Sequence, residues 1–394
     1  MEYTHVLIRF GELYTKGKNK HIFIDTLYEN IKRKLRNYKN LEYIKHHDRI
    51  FIKINGESVE GIKEDLELVS GLYSYSFVRM VESNMDSIIA GALEFVDEST
   101  GTFKVFARRS DKNFPLVSDD INRKVASAIL TKYGHCVGVD VHNPKLSLYI
   151  EVRREGTYLF TEKCPGLGGY PLGVGGKAML LISGGIDSPV AGFLLNKRGI
   201  TFEAVHFAAP PYTSTMAIQK VKDLLSKLTC FQKKIRLHII PFTDIQLKIY
   251  ENSDESYAIT IMRRMMYRIA TKLAQQEKCL ALASGESIGQ VASQTLESMN
   301  VINEVTNMPM IRPLATMDKV DIIKESKRIG TYDISILPYE DCCTIFTPKN
   351  PVTKPRLDLA KRYEERFDFE SMIDEAIEKR EVIVIKDEEE VEFL

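Results

Sequence analysis

The segment Ser183-Gly-Gly-Ile-Asp-Ser188 combines the residue types that bind a phosphate group. The apolar run 178–182 before it predicts a buried parallel strand, and the apolar periodicity of 189–197 predicts a helix with Ser188 as its N-cap. The two glycines let the backbone approach a ligand closely, and the free amides of a helix N-terminus attract anions. The terminal serines add small hydrogen-bond donors. This strand–loop–helix segment therefore predicts a phosphate or pyrophosphate site.

Two common nucleotide-binding motifs are excluded by spacing. The P-loop requires Gly, four residues and then Gly-Lys-Ser/Thr, whereas Lys177 is followed by Ala178 and Pro171 stands where the first glycine belongs. The dinucleotide fingerprint G-x-G-x-x-G is absent from the sequence. The pattern Ser-Gly-Gly-x-Asp-Ser instead resembles the pyrophosphatase loop (PP-loop) of enzymes that cleave ATP between its α and β phosphates and adenylate a substrate.

Composition and length narrow the class of protein. A chain of 394 residues is expected to form two to three domains. It has neither a run of eighteen apolar residues nor a basic-then-apolar N-terminus, so we expect a cytoplasmic protein with no membrane partner. Its six cysteines form no C-x-x-C pair, which supports neither a disulfide framework nor a zinc site. Residues 356–394 contain 7 basic and 14 acidic residues, and the mildly basic remainder permits an anionic partner.

The order of predicted elements divides the chain. Residues 1–60 alternate strand and helix and predict a ferredoxin-like α+β domain, whose end could lie as late as about residue 80. A second α/β unit is predicted after it, at 61–164. The glycine-rich segment 165–176 breaks every regular pattern and predicts a linker. From 177 to 394, strands alternate with helices of eight to nineteen residues, which is typical of a doubly wound parallel sheet.

Ligands of such sheets bind beyond the carboxyl ends of the strands, so polar residues at those ends are candidate site residues. His206 and Phe207 end one strand and either contact an adenine or serve packing. Gly285 and a predicted polar helix containing Gln294 follow another strand. Arg263 flanks the apolar stripe of a long helix at the same edge and could pair with phosphate. Its neighbours Arg264 and Arg268 either do the same or form a solvated basic face.

Cys342 and Cys343 lie in a proline-bounded segment, 337–348. Two thiols without further ligands do not make a metal site, and adjacent cysteines make a strained disulfide. A reactive thiol is one reading, because a loop gives exposure and a nearby arginine would lower the thiol pKa. A buried structural cysteine is the other.

The whole chain resembles the tRNA uracil 4-sulfurtransferase family (tRNA 4-thiouridine synthetases), in the short form without a C-terminal rhodanese domain. The resemblance rests on Arg9-Phe-Gly-Glu-Leu-Tyr-Thr-Lys-Gly-Lys, Phe106-Ala-Arg-Arg-Ser-Asp-Lys-Asn-Phe-Pro, Leu181-Ile-Ser-Gly-Gly-Ile-Asp-Ser-Pro-Val-Ala-Gly, Ala204-Val-His-Phe, Met262-Arg-Arg-Met-Met, Gly285-Glu-Ser-Ile-Gly-Gln-Val-Ala-Ser-Gln-Thr-Leu-Glu-Ser-Met and Glu340-Asp-Cys-Cys. These segments span residues 9 to 343. The resemblance implies a ferredoxin-like domain, a THUMP RNA-binding domain and a PP-loop catalytic domain.

The family's functional residues transfer to matching positions of this chain. They imply ATP contacts at Leu181, Ile182, His206, Phe207, Arg263, Gly285 and Gln294, beside the loop residues Ser183, Gly184, Gly185, Asp187 and Ser188. The implied reaction adenylates a uridine of tRNA (position 8) at O4 and replaces that oxygen with sulfur, and Cys342 is the implied sulfur-handling residue. Asp187 is expected to help position Mg²⁺ on the ATP phosphates. We expect no other metal.

Partners follow from the same resemblance. The basic residues expected to contact tRNA lie on a strand and a helix start of the second domain: Lys104, Arg108, Arg109, Lys112, Arg123 and Lys124. Because the sequence ends without a rhodanese domain, a cysteine desulfurase is the expected persulfide donor. Sulfur supply for thiamine thiazole synthesis, through a sulfur-carrier protein, and a homodimer are left open.

Two alternatives remain at this stage. A PP-loop enzyme could thiolate or amidate another RNA position, although amidation needs an ammonia source and nothing in the sequence resembles a glutaminase. A noncatalytic RNA-binding protein is the third reading, and the number of polar residues at the strand ends argues against it.

Overall fold

A computed structural model describes residues 2–15, 17–339, 348 and 350–386 of the chain. Cys342 and Cys343 lie outside the described residues. Residue contacts divide the chain into two compact units, Met1–Pro171 and Leu172–Leu394, and the division falls within the predicted linker segment.

The first unit is an α+β structure. Its strands are β1 (His5–Arg9), β2 (Glu42–Lys45), β3 (Arg49–Lys53), β4 (Ser74–Val81), β5 (Thr102–Arg109), β6 (Gly138–Val139), β7 (Leu146–Val152), β8 (Thr157–Phe160) and β9 (Cys164–Pro165), and its helices are α1 (Lys20–Lys34), α2 (Val59–Glu67), α3 (Met85–Leu93) and α4 (Ser118–Tyr133). The strands form one sheet in the order β2-β3-β1-β4-β8-β7-β5-β6, with β9 paired to β4. The ferredoxin-like and second subdomains therefore share a sheet through the β4–β8 pairing.

Alternation along the strands gives this sheet one helix-covered face and one open face. Val6 and Ile8 of β1 pack with α1 and α2, and Val105 of β5 packs with α3 and α4. The opposite side chains, among them Leu7 and Phe160, form a separate apolar cluster without helices. The alternation of residues 49–54 predicts one strand, whereas the structure has a β2–β3 hairpin. The sequence pattern misses β2 because only one residue of Glu42–Lys45 is even partly buried.

The second unit is a layered α/β structure. Its strands are β10 (Lys177–Leu181), β11 (Thr201–Ala208), β12 (Lys234–Pro241), β13 (Ala281–Ala283), β14 (Met310–Ile311) and β15 (Glu381–Lys386). Its helices are α5 (Asp187–Lys197), α6 (Thr215–Leu228), α7 (Thr243–Asn252), α8 (Ala258–Gln276), α9 (Leu296–Asn303), α10 (Lys319–Arg328), α11 (Tyr332–Ser335), α12 (Leu357–Glu364) and α13 (Phe369–Glu378). Within the described residues, no helix has both the length and the apolar composition needed to cross a bilayer.

The strand order of this sheet is β14-β13-β10-β11-β12-β15. All pairings are parallel except that of β15, which joins β12 antiparallel. The chain runs from β10 through β11 to β12 on one side and then returns to place β13 on the other side of β10. The loops after β10 and β13 therefore diverge at a topological switch point, where doubly wound sheets bind their ligands.

Candidate functional site: a phosphate loop at the switch point

The phosphate loop is closed by its own serines. Ser183 N donates to Ser188 Oγ (3.0 Å), and Ser188 Oγ donates back to Ser183 O (3.1 Å). The prediction that Ser188 caps the helix was wrong, because α5 begins one residue earlier at Asp187 and the N-cap position is Ile186. Among the described residues no side chain caps α5. The helix N-terminus thus faces the loop with its partial positive charge available to an anion.

Gly285, which follows β13, packs against the first turn of α5. A Cβ at this position would lie 2.7 Å from Ser188 N and 2.7 Å from Asp187 C, both backbone atoms. Close approach of the two chain segments therefore requires glycine here. This contact joins the loops that follow β10 and β13.

Gly285→Ala should lower the free energy of unfolding by about 1–3 kcal/mol, because the added methyl group displaces the backbone of α5 rather than a flexible side chain. Urea denaturation of the purified full-length protein measures this. Gly138→Ala is the matched control, since a Cβ there meets nothing within 4 Å. Equal stability of the Gly285 and Gly138 variants would contradict the steric argument.

An open cleft lies above these loops. It is lined by Leu181, Ile182, Ser183, Asp187, Ser188, His206, Phe207, Arg263, Met266, Ser284, Gly285, Glu286 and Gln294. Ten of these residues were predicted to contact ATP, and the two remaining predicted residues, Gly184 and Gly185, belong to the same phosphate loop. Met266, Ser284 and Glu286 were not among the predicted contacts.

The walls of the cleft are ordered by direct contacts. His206 Nδ1 donates to Ile182 O (3.2 Å), which fixes its ring between β11 and β10. Phe207 packs edge-to-face on Phe242, with ring centroids 5.2 Å apart. Both residues are nearly buried, so they serve packing and also line the cleft.

The loop after β13 differs from the predicted polar helix. Only a short 3₁₀ turn, Ala292–Gln294, is present before α9, and Thr295 caps α9 by accepting from Ser298 N (3.1 Å). Gln294 Oε1 accepts from Ser287 N (3.4 Å), which folds this turn back toward the cleft. Helical spacing failed here because the small polar residues bond to nearby backbone instead of continuing a helix.

Asp187 is paired at the mouth of the cleft. Its carboxylate accepts from Lys319 Nζ (2.5 Å) and from Gln290 Nε2 (3.1 Å). Lys319 is the first residue of α10, 132 residues further along the chain, and sequence reasoning missed it. A lysine and a carboxylate at a phosphate loop are groups that can bind phosphate and a hard cation, respectively.

Arg263 points into the cleft and is held by Glu286, which also receives Arg312 Nε (2.8 Å) and Tyr267 OH (2.8 Å). Burial would raise the pKa of Glu286, but the charges of Arg263 and Arg312 lower it to about 2. The carboxylate is therefore ionised at neutral pH. Burial and the nearby carboxylate raise the pKa of Tyr267 to about 12, so its hydroxyl remains a donor.

Arg264 and Arg268 have a structural role. Glu364 of α12 receives Arg264 Nε (2.7 Å) and Arg268 Nη1 (2.7 Å), and Arg264 is fully buried. Burial by itself would raise the pKa of Glu364. The hydrogen bonds from the two guanidinium groups outweigh this effect, so the pKa of Glu364 lies below its ordinary value. Both readings of these arginines, as phosphate ligands or as a solvated face, are therefore wrong. Their partner lies about a hundred residues away in sequence.

One cluster has the residue types of a metal site, formed by Glu203, His238 and Glu277. Lys177 Nζ contacts Glu203 (2.7 Å), and Arg236 Nη1 contacts Glu277 (2.7 Å). These cations already compensate the carboxylates, so the cluster is an ion-pair network at the end of the sheet opposite the cleft.

In the first unit, the open face of the sheet carries an aromatic stack. The Tyr149 ring lies parallel to Phe106 (centroids 5.1 Å apart, 17° between planes) and to Phe160 (5.1 Å, 14°). Phe106 and Tyr149 are partly exposed. Such a stack, with exposed ring surface and nearby cations, is a surface type that nucleic acids contact.

Basic side chains crowd the same face. Lys163 Nζ lies 3.9 Å from the Tyr149 ring centroid, Lys104 Nζ lies 4.7 Å from that of Phe106, and Arg108 is two residues beyond Phe106 on β5. Burial lowers the pKa of Lys163, and the positive charges of Arg9 and Arg108 lower it further. Mutual repulsion of this kind marks a face that attracts an anion.

The predicted tRNA-contacting residues do not form one patch. Lys104 and Arg108 lie on the open face, whereas Arg123 and Lys124 are exposed on α4, which covers the other face. Arg109 Nη1 donates to Phe114 O (3.2 Å), and the exposed Lys112 lies in the turn between them.

Comparison with known proteins agrees with this architecture. The family model described as thiamine biosynthesis protein (ThiI) matches residues 173–369, the ThiI ferredoxin-like domain matches 5–76, and the THUMP domain matches 82–162. A crystal structure of a 4-thiouridine synthetase–RNA complex with bound ATP is 37% identical, covers 98% of this chain and 100% of that chain, and has a TM-score of 0.88. The structure of PH1313 from Pyrococcus horikoshii Ot3 is 24% identical, covers 83% of this chain and 99% of that chain, and has a TM-score of 0.63, which supports the fold alone.

The fold and the loop define a PP-loop α/β domain that follows a ferredoxin-like domain and a THUMP domain. The chain belongs to the ThiI family. The fold class and the tRNA sulfurtransferase class expected from the sequence are thus confirmed at the level of the family.

Proposed function

We propose that this protein converts a uridine of tRNA, at position 8, to 4-thiouridine with consumption of ATP. The observation that carries the proposal is the phosphate loop at the switch point, where Asp187 and Arg263 line one cleft and Lys319 pairs with Asp187. The structure that is 37% identical contains RNA and ATP, which supports both substrates for this chain.

The loop geometry suits cleavage of ATP between its α and β phosphates. Uridine O4 attacks the α phosphorus as N3 loses its proton to solvent, the bond from that phosphorus to the oxygen bridging to the β phosphorus breaks, and pyrophosphate leaves toward the amides of α5. Lys319 and Arg263 neutralise the charge that develops on the phosphates. Asp187 suits Mg²⁺, since this ion is commonly held by one or two carboxylates together with substrate phosphates, and it would supply further charge neutralisation.

Sulfur delivery follows adenylation. The terminal sulfur of a persulfide attacks C4, AMP leaves, and a disulfide joins the uridine sulfur to its carrier. A second thiol then attacks the carrier sulfur and releases 4-thiouridine. We propose Cys342 as the carrier and a cysteine desulfurase as the source of the persulfide.

Contacts of the described residues before Cys342 support this placement. Ser335 Oγ donates to Thr331 O (2.9 Å) and lies 3.5 Å from Gly185 O of the phosphate loop. Lys220 Nζ of α6 donates to Leu337 O (2.8 Å) and to Tyr339 O (3.5 Å). The chain therefore lies beside the phosphate loop at Ser335 and is held by α6 at Leu337 and Tyr339, the latter three residues before the proposed sulfur carrier.

The proposed function is tested by incubating the protein with unmodified tRNA, ATP, Mg²⁺, cysteine and a desulfurase, and then analysing the nucleosides by mass spectrometry. We expect 4-thiouridine at position 8 and release of one pyrophosphate per product. Thiolation or amidation of another position would favour a different PP-loop enzyme. Lack of pyrophosphate release with tRNA would favour a noncatalytic RNA-binding protein.

A second candidate function is sulfur transfer for thiamine thiazole synthesis, favoured by the description of the matching family model. This gene is introduced into a strain whose own copy is deleted, and growth without thiamine is measured. The experiment tests the thiamine role separately from tRNA thiolation.

For tRNA binding, we propose the open face of the first unit as the principal contact. Arg108→Ala should weaken tRNA affinity about three- to tenfold and reduce the slope of log affinity against log salt by about 0.7–0.9, because one phosphate contact is lost. Filter binding at several salt concentrations measures both quantities.

Lys132→Ala is the matched control, since Lys132 is exposed on α4 and was not predicted to contact tRNA. We expect its affinity to stay within twofold of wild type. Lys124→Ala decides whether the helix-covered side also contributes. Unchanged affinity and slope in Arg108→Ala would contradict the open-face proposal.

A further inference from the structure

Glu286 is a buried carboxylate whose two oxygens have different partners. Oε2 accepts from Arg312 Nε (2.8 Å), Tyr267 OH (2.8 Å) and Ser284 Oγ (3.0 Å). Oε1 accepts from Arg263 Nη2. Three donors thus anchor one oxygen, and the other is directed at the arginine of the cleft.

The anchoring extends away from the cleft. Arg312 Nη2 donates to Asn303 Oδ1 of α9 (3.3 Å) as well as contacting the Tyr267 hydroxyl (3.4 Å). Glu286 is therefore fixed from β13, α8, α9 and the chain after β14. A long arginine side chain loses much rotational freedom when a fixed carboxylate holds its guanidinium. Because Arg263 is already ordered in this way, less conformational entropy is lost when a ligand binds.

Charge balance explains why a carboxylate is tolerated beside a phosphate site. Two guanidinium groups and one carboxylate leave a net positive charge, and Glu286 itself is only 4% exposed while the side chain of Arg263 is 18% exposed. The positive group is thus more accessible to solvent than the negative one. Low effective permittivity in a buried site strengthens both the ion pair and the attraction for an anion.

We propose that Glu286 is a positioning residue that holds Arg263 ready for the phosphates of the nucleotide. The inference rests on the proposed function, in which ATP occupies the cleft. Glu286 acts through Arg263 and does not itself contact the reacting atoms.

A double-mutant cycle on the full-length protein tests this, with ATP affinity measured by calorimetry in the absence of tRNA. Arg263→Ala and Glu286→Gln should each raise the Kd for ATP about tenfold. The double variant should be no weaker than Arg263→Ala alone, because both changes remove the same interaction. Adenosine, which lacks phosphates, should bind all of these variants as it binds wild type.

Glu364→Gln is the matched control. Glu364 is also a buried carboxylate that receives two arginines of α8, and it does not line the cleft. This variant should lower Tm while leaving the Kd for ATP of the folded protein within twofold. If Glu286→Gln does not fold, Glu286→Asp keeps the charge and shortens the reach, and it should raise the Kd for ATP by less than tenfold but more than twofold.

Two outcomes would overturn the inference. One is that Glu286→Gln binds ATP within twofold of wild type although Arg263→Ala binds ATP more weakly. If only Glu286→Asp folds, the same comparison is made with that variant. The other is a double variant in which the two effects multiply. Failure of wild-type protein to bind ATP would instead refute the proposed function.

Discussion

Asp187→Ala is expected to reduce ATP-dependent thiolation of tRNA on the order of a thousandfold, about 4 kcal/mol of transition-state stabilisation. The carboxylate lies in the first turn of α5, pairs with Lys319 and reaches Gln290 across the cleft. Its loss removes the oxygen ligands proposed for Mg²⁺ and releases the lysine from its position. Pyrophosphate release and nucleoside mass spectrometry measure the effect.

The same variant should bind tRNA within twofold of wild type, because the proposed RNA-contacting face belongs to the first unit. Asp187→Asn is a useful companion, since it keeps the side-chain shape and removes only the charge, and it should be nearly as inactive. A loss of tRNA affinity on the order of tenfold, about 1.4 kcal/mol, would show that the loop has been assigned to the wrong substrate.

Cys342→Ser is expected to retain adenylation of tRNA and to form less than about one hundredth of the wild-type 4-thiouridine, a loss of more than about 2.7 kcal/mol. Activation requires the phosphate loop, whereas delivery requires a thiolate near the activated carbon, and a serine hydroxyl cannot carry a persulfide. The two steps are separated by measuring AMP transfer to tRNA in one assay and thiolated nucleoside in another.

Cys343→Ser is the matched control because it changes the neighbouring thiol, and we expect a milder loss. High concentrations of sulfide should partly rescue Cys342→Ser without a desulfurase, since sulfide can attack the adenylated uridine directly. Normal thiolation by Cys342→Ser with desulfurase alone would mean that the partner's persulfide attacks unaided. The sulfur-carrier role would then be removed from this residue.

Much of the fold could be predicted where one element is specified by its own sequence. Apolar stripes at helical spacing in residues 118–133 and 215–228 predict two helices, and α4 (Ser118–Tyr133) and α6 (Thr215–Leu228) have these bounds in the structure. Short strands were harder. β14 has only two residues, which are too few to give a periodic signal.

The candidate cleft was predictable for a related reason. The phosphate loop and Gly285 each follow a recognisable buried strand, and the rule that parallel strands present their carboxyl ends together brought them to one place. The partners of charged side chains were not predictable in this way. Arg263, Arg264 and Arg268 are close in sequence and chemically alike, yet only Arg263 lines the cleft.

The sequence by itself determined the longer elements and the type of site, because strand, loop and helix signals are local and a glycine is needed wherever two backbones approach closely. Tertiary structure alone decided which charges meet: Lys319 with Asp187, Glu286 with Arg263, and Glu364 with Arg264. The physical reason is that periodicity tells which face of an element is buried, whereas an ion pair depends on the packing of elements that are 23 to 132 residues apart in sequence. Burial makes the pairs of Glu286 and Glu364 obligatory, since a charge removed from water without a partner costs several kcal/mol.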